Sequence, residues 1–126
     1  MSVVASPLAR VKNGNEPAYL SYKVSKAVAW IMLERPEVAN AQNYGLLNQL
    51  DDLFRLAVDD IEVKVIVLGG RGRHFSAGHD LNTPDKNLER ERKLLWYSHL
   101  GLEGAEGQYA LEQDAFLGLC RRWQEI

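Results

Sequence analysis

The chain has 126 residues, 46% of them hydrophobic and 25% charged, a length and balance that suit one compact domain burying roughly two thirds of its unfolded surface and that exclude a disordered polymer. With 15 Lys and Arg against 17 Asp and Glu the net charge is -2, so no overall field draws the chain to nucleic acid or to an anionic membrane. Cys120 is the one cysteine, which excludes an internal disulfide, points to the reducing cytoplasm and, among large apolar neighbours, reads as a buried thiol.

Residues 1–18 mix short apolar stretches with Arg10, Lys12 and Asn13. They hold no run long enough for a signal h-region or a membrane span, and read as an N-terminal arm ahead of a body at 19–126. From Tyr19 to Leu33 two runs rich in β-branched and aromatic residues flank the polar step Ser25-Lys26, the pattern of a hairpin. Pro36 ends the second run, because it has no N–H to give to a ladder and biases Arg35 toward an extended conformation. A loop is expected from Val38 to Asn43. Between Tyr44 and Val58 apolar residues recur every three or four positions, with Asn48, Asp51, Asp52 and Arg55 opposite, which predicts an amphipathic helix. The run Val63 to Leu68 predicts a strand covered on both faces, ending at Gly69-Gly70. A strand, a helix and a further strand indicate an α/β arrangement with a crossover.

Beyond the polar turn Gly69 to His74, Thr83 can cap a helix with Pro84 at its first position, running through the charged stretch to about Ser98. Gly101, Gly104 and Gly107 are expected to loosen the chain. Tyr109 to Ile126 is again amphipathic, with Leu119 and Trp123 on the apolar side.

The most informative segment is GGRGRHFSAGHD, Gly69 to Asp80, where a predicted strand ends and small residues would let main-chain N–H groups face a ligand oxygen, although by itself such a turn reads more simply as plain turn architecture. Carboxyl ends of strands are where open α/β sheets bind ligands. Arg35-Pro36-Glu37-Val38-Ala39-Asn40-Ala41, the Leu-rich helix, Val65-Ile66-Val67-Leu68 and Phe75-Ser76-Ala77-Gly78-His79-Asp80-Leu81, in this order and spacing, resemble the first half of the crotonase (enoyl-CoA hydratase/isomerase) family.

The resemblance implies a crotonase-like spiral of ββα units, of which this chain is the N-terminal portion with C-terminal helices. It implies an acyl-CoA thioester as ligand, with coenzyme A part of the substrate and no separate cofactor, and a homo-oligomer, trimeric or hexameric. By the same resemblance the main-chain N–H of His79 is the catalytic donor of an oxyanion hole, and Asn40, Ala41, Ser76, Ala77, Gly78, Asp80 and Leu81 line the CoA and substrate site. The family often carries a basic residue two places after the motif's Asp, where this chain has Asn82. Family members are about twice as long, with the second donor and the hydratase carboxylates beyond the position equivalent to Ile126. The chain is therefore expected to be truncated relative to the family, to hold half of the site and to be inactive alone; a non-catalytic acyl-CoA-binding or oligomerising module is the alternative.

His74, His79, Asp80 and His99 lack the spacing of a metal site, and no metal is expected. Ser76, His79 and Asp80 lie too close in sequence to align as nucleophile, base and orienting acid. The run Lys86 to Lys93 alternates in sign and reads as a solvated helix face.

Overall fold

In the computed structural model, which describes residues 17–81, 104–111, 113 and 117–126, the chain falls into two units, Met1–Lys86 and Asn87–Ile126. The first opens with the expected hairpin, β1 (Leu20–Ser25) paired antiparallel with β2 (Val28–Leu33) from Leu20↔Leu33 to Ser25↔Val28. Alternation along β2 sends Ala29, Ile31 and Leu33 to one face, where they are at most 1% exposed, and Trp30 to the other, where it is 43% exposed.

The helix α1 (Tyr44–Asp59) reaches one residue beyond its predicted end. Asn43 caps it: its Oδ1 accepts the Leu46 N–H at 2.8 Å, satisfying one of the N–H groups a helix start leaves over. Leu46, Leu50 and Leu53 on its apolar stripe are buried, and α1 packs against β1 and β2, so the core lies between this helix and the face that carries Ala29, Ile31 and Leu33. Burying each such side chain contributes about 1.5–3 kcal/mol. Gln49 is also fully buried, with its carboxamide accepting the Tyr19 N–H and donating to the Pro17 carbonyl.

The chain returns as β3 (Val65–Gly70), parallel to β2, to complete a sheet of order β1-β2-β3. The expectation that this strand is covered on both faces is not met: Val65 is 53% exposed and Ile66 to Gly70 are half-buried. The reason is that α1 lies over β1 and β2, which leaves β3 as an edge among the described residues.

In the second unit, α2 (Gly104–Leu111) and α3 (Gly118–Gln124) are helical, and so are Gln113 and Leu117 between them, in line with the helical periodicity from Tyr109 to Ile126 among the described residues. Gly104 and Gly107 do not loosen the chain; they lie within α2. Cys120 is exposed rather than buried. Leu119 takes the inward position of α3 at 3% exposure, and a residue one step along a helix turns about 100° away. Trp123, one turn on from Leu119, is half-buried. The helix expected from Thr83 to about Ser98, its charged run, His99, Asn82 and residues 1–16 of the arm lie outside the described residues.

The tip of the β1–β2 hairpin consists of Lys26 and Ala27, at φ 51° and 64°. A two-residue turn with both φ positive follows the strand twist, but it favours Asn and Gly, because a Cβ crowds the backbone there. Ala27→Gly is expected to stabilise the fold by about 0.5–1 kcal/mol, read as a higher urea midpoint with unchanged slope.

Candidate functional site

The loops that leave β2 and β3 run from the carboxyl ends of two adjacent parallel strands, and they lace together there. After β2 the Glu34 N–H donates to the Tyr19 carbonyl at 2.9 Å, and Pro36–Val38 forms a 3₁₀ turn with Pro36 at its start, where a missing N–H costs nothing. Ala39 and Asn40 follow at φ 51° and 54°, two successive left-handed residues, of which only Asn adopts that region readily. The loop after β3 meets this one in a parallel bridge between Gln42 and His79. The Gln42 N–H donates to the Gly78 carbonyl at 2.7 Å, the Asp80 N–H to the Gln42 carbonyl at 2.8 Å and the Ala77 N–H to the Ala39 carbonyl at 2.9 Å.

Asn40 joins the pieces. It is fully buried; its Oδ1 accepts the Arg35 N–H at 2.8 Å, and its Nδ2 donates to the carbonyls of Arg71 and His74, each at 2.9 Å. Gly70 makes room for it, since a Cβ there would stand 2.9 Å from Asn40 Nδ2 and 2.5 Å from the Phe75 carbonyl oxygen. Ser76 is the second joint: its hydroxyl donates to the Asn40 carbonyl at 2.8 Å and accepts from Gln42 Nε2 at 2.9 Å and the Gly78 N–H at 3.1 Å. One donor and two acceptor positions are all a hydroxyl has, so Ser76 is engaged in building the turn.

Arg35 runs beneath both loops. Its Nη1 donates to the Ala41 carbonyl, its Nη2 pairs with Asp80 Oδ2 at 3.1 Å, and its guanidinium carbon stands 5.4 Å from the centre of the Tyr19 ring, within cation–π range. Beside it on the surface Arg71 makes a two-pronged contact with Glu34, at 2.9 and 3.2 Å, and the Ser21 hydroxyl donates to the same carboxylate. The bonds from Arg71, more than the one from Ser21, hold the Glu34 carboxyl below its ordinary value of 4.5, against a smaller upward push from burial.

All eight residues singled out in the sequence therefore gather at this junction, in different settings. Asn40 is buried, Ala41, Ser76, Gly78 and Asp80 are half-buried, and Ala77, His79 and Leu81 are exposed. Gly78 has φ +97°, a region that disfavours other residues, and among the described residues nothing beyond its chain neighbours lies within 4 Å of where a Cβ would project. Arg35, Gln42 and Tyr19 are contributors the sequence reading did not single out. Arg35 was legible as the residue before a proline, but its ion pair with a carboxylate 45 residues away has no local signature.

The family model of the enoyl-CoA hydratase/isomerase family matches residues 23–102. The chain belongs to this family, and its solved neighbours have the crotonase fold. The Mycobacterium tuberculosis protein EchA13, which carries the name enoyl-CoA hydratase, is 40% identical over 124 residues, covering 93% of this chain and 39% of its own. The 2,3-dehydroadipyl-CoA hydratase of Escherichia coli K12 is 42% identical over 74 residues, 55% of this chain and 29% of that protein. The crystal structure of a probable enoyl-CoA hydratase from Mycobacterium thermoresistibile superposes with a TM-score of 0.62 at 43% identity, over 83% of this chain and 36% of that one. The chain thus spans under half the length of each of these relatives.

Two outcomes follow from the junction. Asn40→Asp keeps the acceptor but sets a carboxylate oxygen against two carbonyls, and is expected to cost about 3 kcal/mol, measured by chemical denaturation. Glu34, with its folded pKa lowered from the ordinary 4.5, stabilises the fold fully above that unfolded value, and the contribution is lost as pH falls through the folded value. The stability gap between the native chain and Glu34→Gln should accordingly be flat at neutral pH and close in acid, as followed by denaturation midpoints across that range.

Proposed function

We propose that the chain binds an acyl-CoA thioester at the ends of β2 and β3, and that the His79 main-chain N–H donates to the thioester oxygen as half of an oxyanion hole in an enzyme of the enoyl-CoA hydratase/isomerase type. The observation that carries this reading is the Gln42–His79 bridge. It uses the Gly78 carbonyl and the Asp80 N–H, and the pleat turns the N–H of the residue between them to the opposite side. Gly78, at φ +97°, adds no side chain to the turn beside it.

A thioester that gains or shares an electron pair at its α-carbon develops negative charge on its oxygen. A fixed N–H aimed at that oxygen stabilises the enolate without reorganising at the moment of reaction, a contribution of about 10²–10³ in rate for one donor. Asn40, Ala41, Ser76, Ala77, Gly78, Asp80 and Leu81 shape the cleft around it, and coenzyme A arrives as part of the substrate, with no separate cofactor. The chain supplies the first half of the site, and proton delivery to carbon needs a positioned carboxylate that this reading places elsewhere. In the same reading the protein is cytoplasmic and acts as a homo-oligomer, supported by the exposed Trp30 and Val65 on its sheet; no helix among the described residues is long and apolar enough to cross a membrane. The second reading is an acyl-CoA-binding or oligomerising module without turnover.

Calorimetric titration with acetoacetyl-CoA and with free CoA tests the proposal. The thioester is expected to bind about tenfold more tightly than CoA, His79→Ala to retain the preference, and His79→Pro, which removes the N–H, to abolish it. Equal affinity for the two ligands, or an Ala variant as impaired as the Pro variant, would overturn the main-chain assignment. Hydration of crotonyl-CoA by the 126-residue chain would refute the second reading.

A further inference from the structure

We infer that Arg35 is the positioning residue of the His79 turn, acting through Asp80 and Ala41 without touching the ligand. The inference deepens the acyl-CoA reading, since it concerns the same turn. The Gln42–His79 bridge is an isolated one, held by two main-chain hydrogen bonds. Two main-chain bonds, with the Ala77–Ala39 hydrogen bond on one side of them, make a short ladder. Arg35 supplies what the ladder lacks. It reaches the residue before Gln42 on one loop, through the Ala41 carbonyl, and the residue after His79 on the other, through the Asp80 carboxylate. A single planar fork thus ties both strands of the bridge, one arm to each.

The pair sits where such a tie is effective. The side chains of Arg35 and Asp80 are 15% and 10% exposed, so water screens them far less than it does an open surface pair. Tyr19 covers the guanidinium face and limits its rotation. Arg35 is itself anchored, because its N–H is held by the buried Asn40 carboxamide and its carbonyl accepts the Asn40 N–H at 2.8 Å. The Asp80 carboxylate is then a structural counterpart to Arg35, and the peptide of His79 is fixed from the residue that follows it. Two donors at a fixed angle are required, which Lys cannot present.

Amide hydrogen exchange on the full ligand-free chain reads the bridge directly, at the N–H groups of Gln42 and Asp80. In Arg35→Lys and in Asp80→Asn both amides are expected to exchange about tenfold faster or more, while amides of β1, β2 and α1 keep their rates. The double variant should be no faster than the more affected single one, as two halves of one tie are non-additive. Unchanged exchange at Gln42 and Asp80 in both variants, full protection in Arg35→Lys, or acceleration only in step with β1 and β2 would overturn the inference. These rates are measured without acyl-CoA, so they decide the positioning role whether or not the chain binds a thioester. Titration of Arg35→Lys with acetoacetyl-CoA and CoA adds the functional consequence: a preference for the thioester that shrinks with the bridge supports positioning, and a preference retained in full despite faster exchange overturns it.

Discussion

The buried Asn40 carboxamide is the interaction on which the junction between the two loops depends. Its three hydrogen bonds go to main-chain groups of Arg35, Arg71 and His74, so one side chain substitutes for a ladder between segments too irregular to form one. The arrangement demands a short amide that tolerates φ 54°, and Asn meets both demands. It also demands an absent side chain at Gly70, where the Nδ2 of Asn40 approaches closely. The strand, the turn and the loop are thereby fixed relative to one another before any ligand is considered.

Three side chains that would suggest chemistry on a first reading are tied into the junction itself. Ser76 has its hydroxyl saturated, Asp80 is paired with Arg35, and Asn40 is out of reach of solvent. Outward the loops present His74 and His79 together with Phe75 and Leu81, the last two 55% and 75% exposed. On the proposed reading these polar side chains act by setting the shape of the loops, and the main chain meets the ligand.

Periodicity made α1 legible almost to the residue, because a 16-residue amphipathic helix repeats its signal over four turns. The hairpin was legible from its β-branched runs, although its Lys26-Ala27 tip carries none of the Gly or Asn that usually announces such a turn. The sequence motifs pointed to eight candidate residues that the fold gathers at one junction, but not to the division of labour among them. That division depends on contacts between segments more than 30 residues apart, such as Asn40 with His74 and Arg35 with Asp80, and local pattern contains no trace of such pairs. The exposure of Val65 was missed for a related reason. An apolar residue's surroundings are set by which neighbour lies over it, and α1 lies over β1 and β2.

The same long separations bear on how the protein acquires its site. Closing loops that span 34, 36 and 45 residues costs chain entropy before any of their contacts can repay it. The hairpin and α1 are local and need no such closure. The parallel pairing of β3 with β2 has to wait for the crossover through α1, and the Asn40 and Ser76 contacts must wait for β3. The junction is consequently the last region of this unit to assemble and, in an unfolding chain, the first to come apart, so that loss of a shaped site precedes loss of secondary structure.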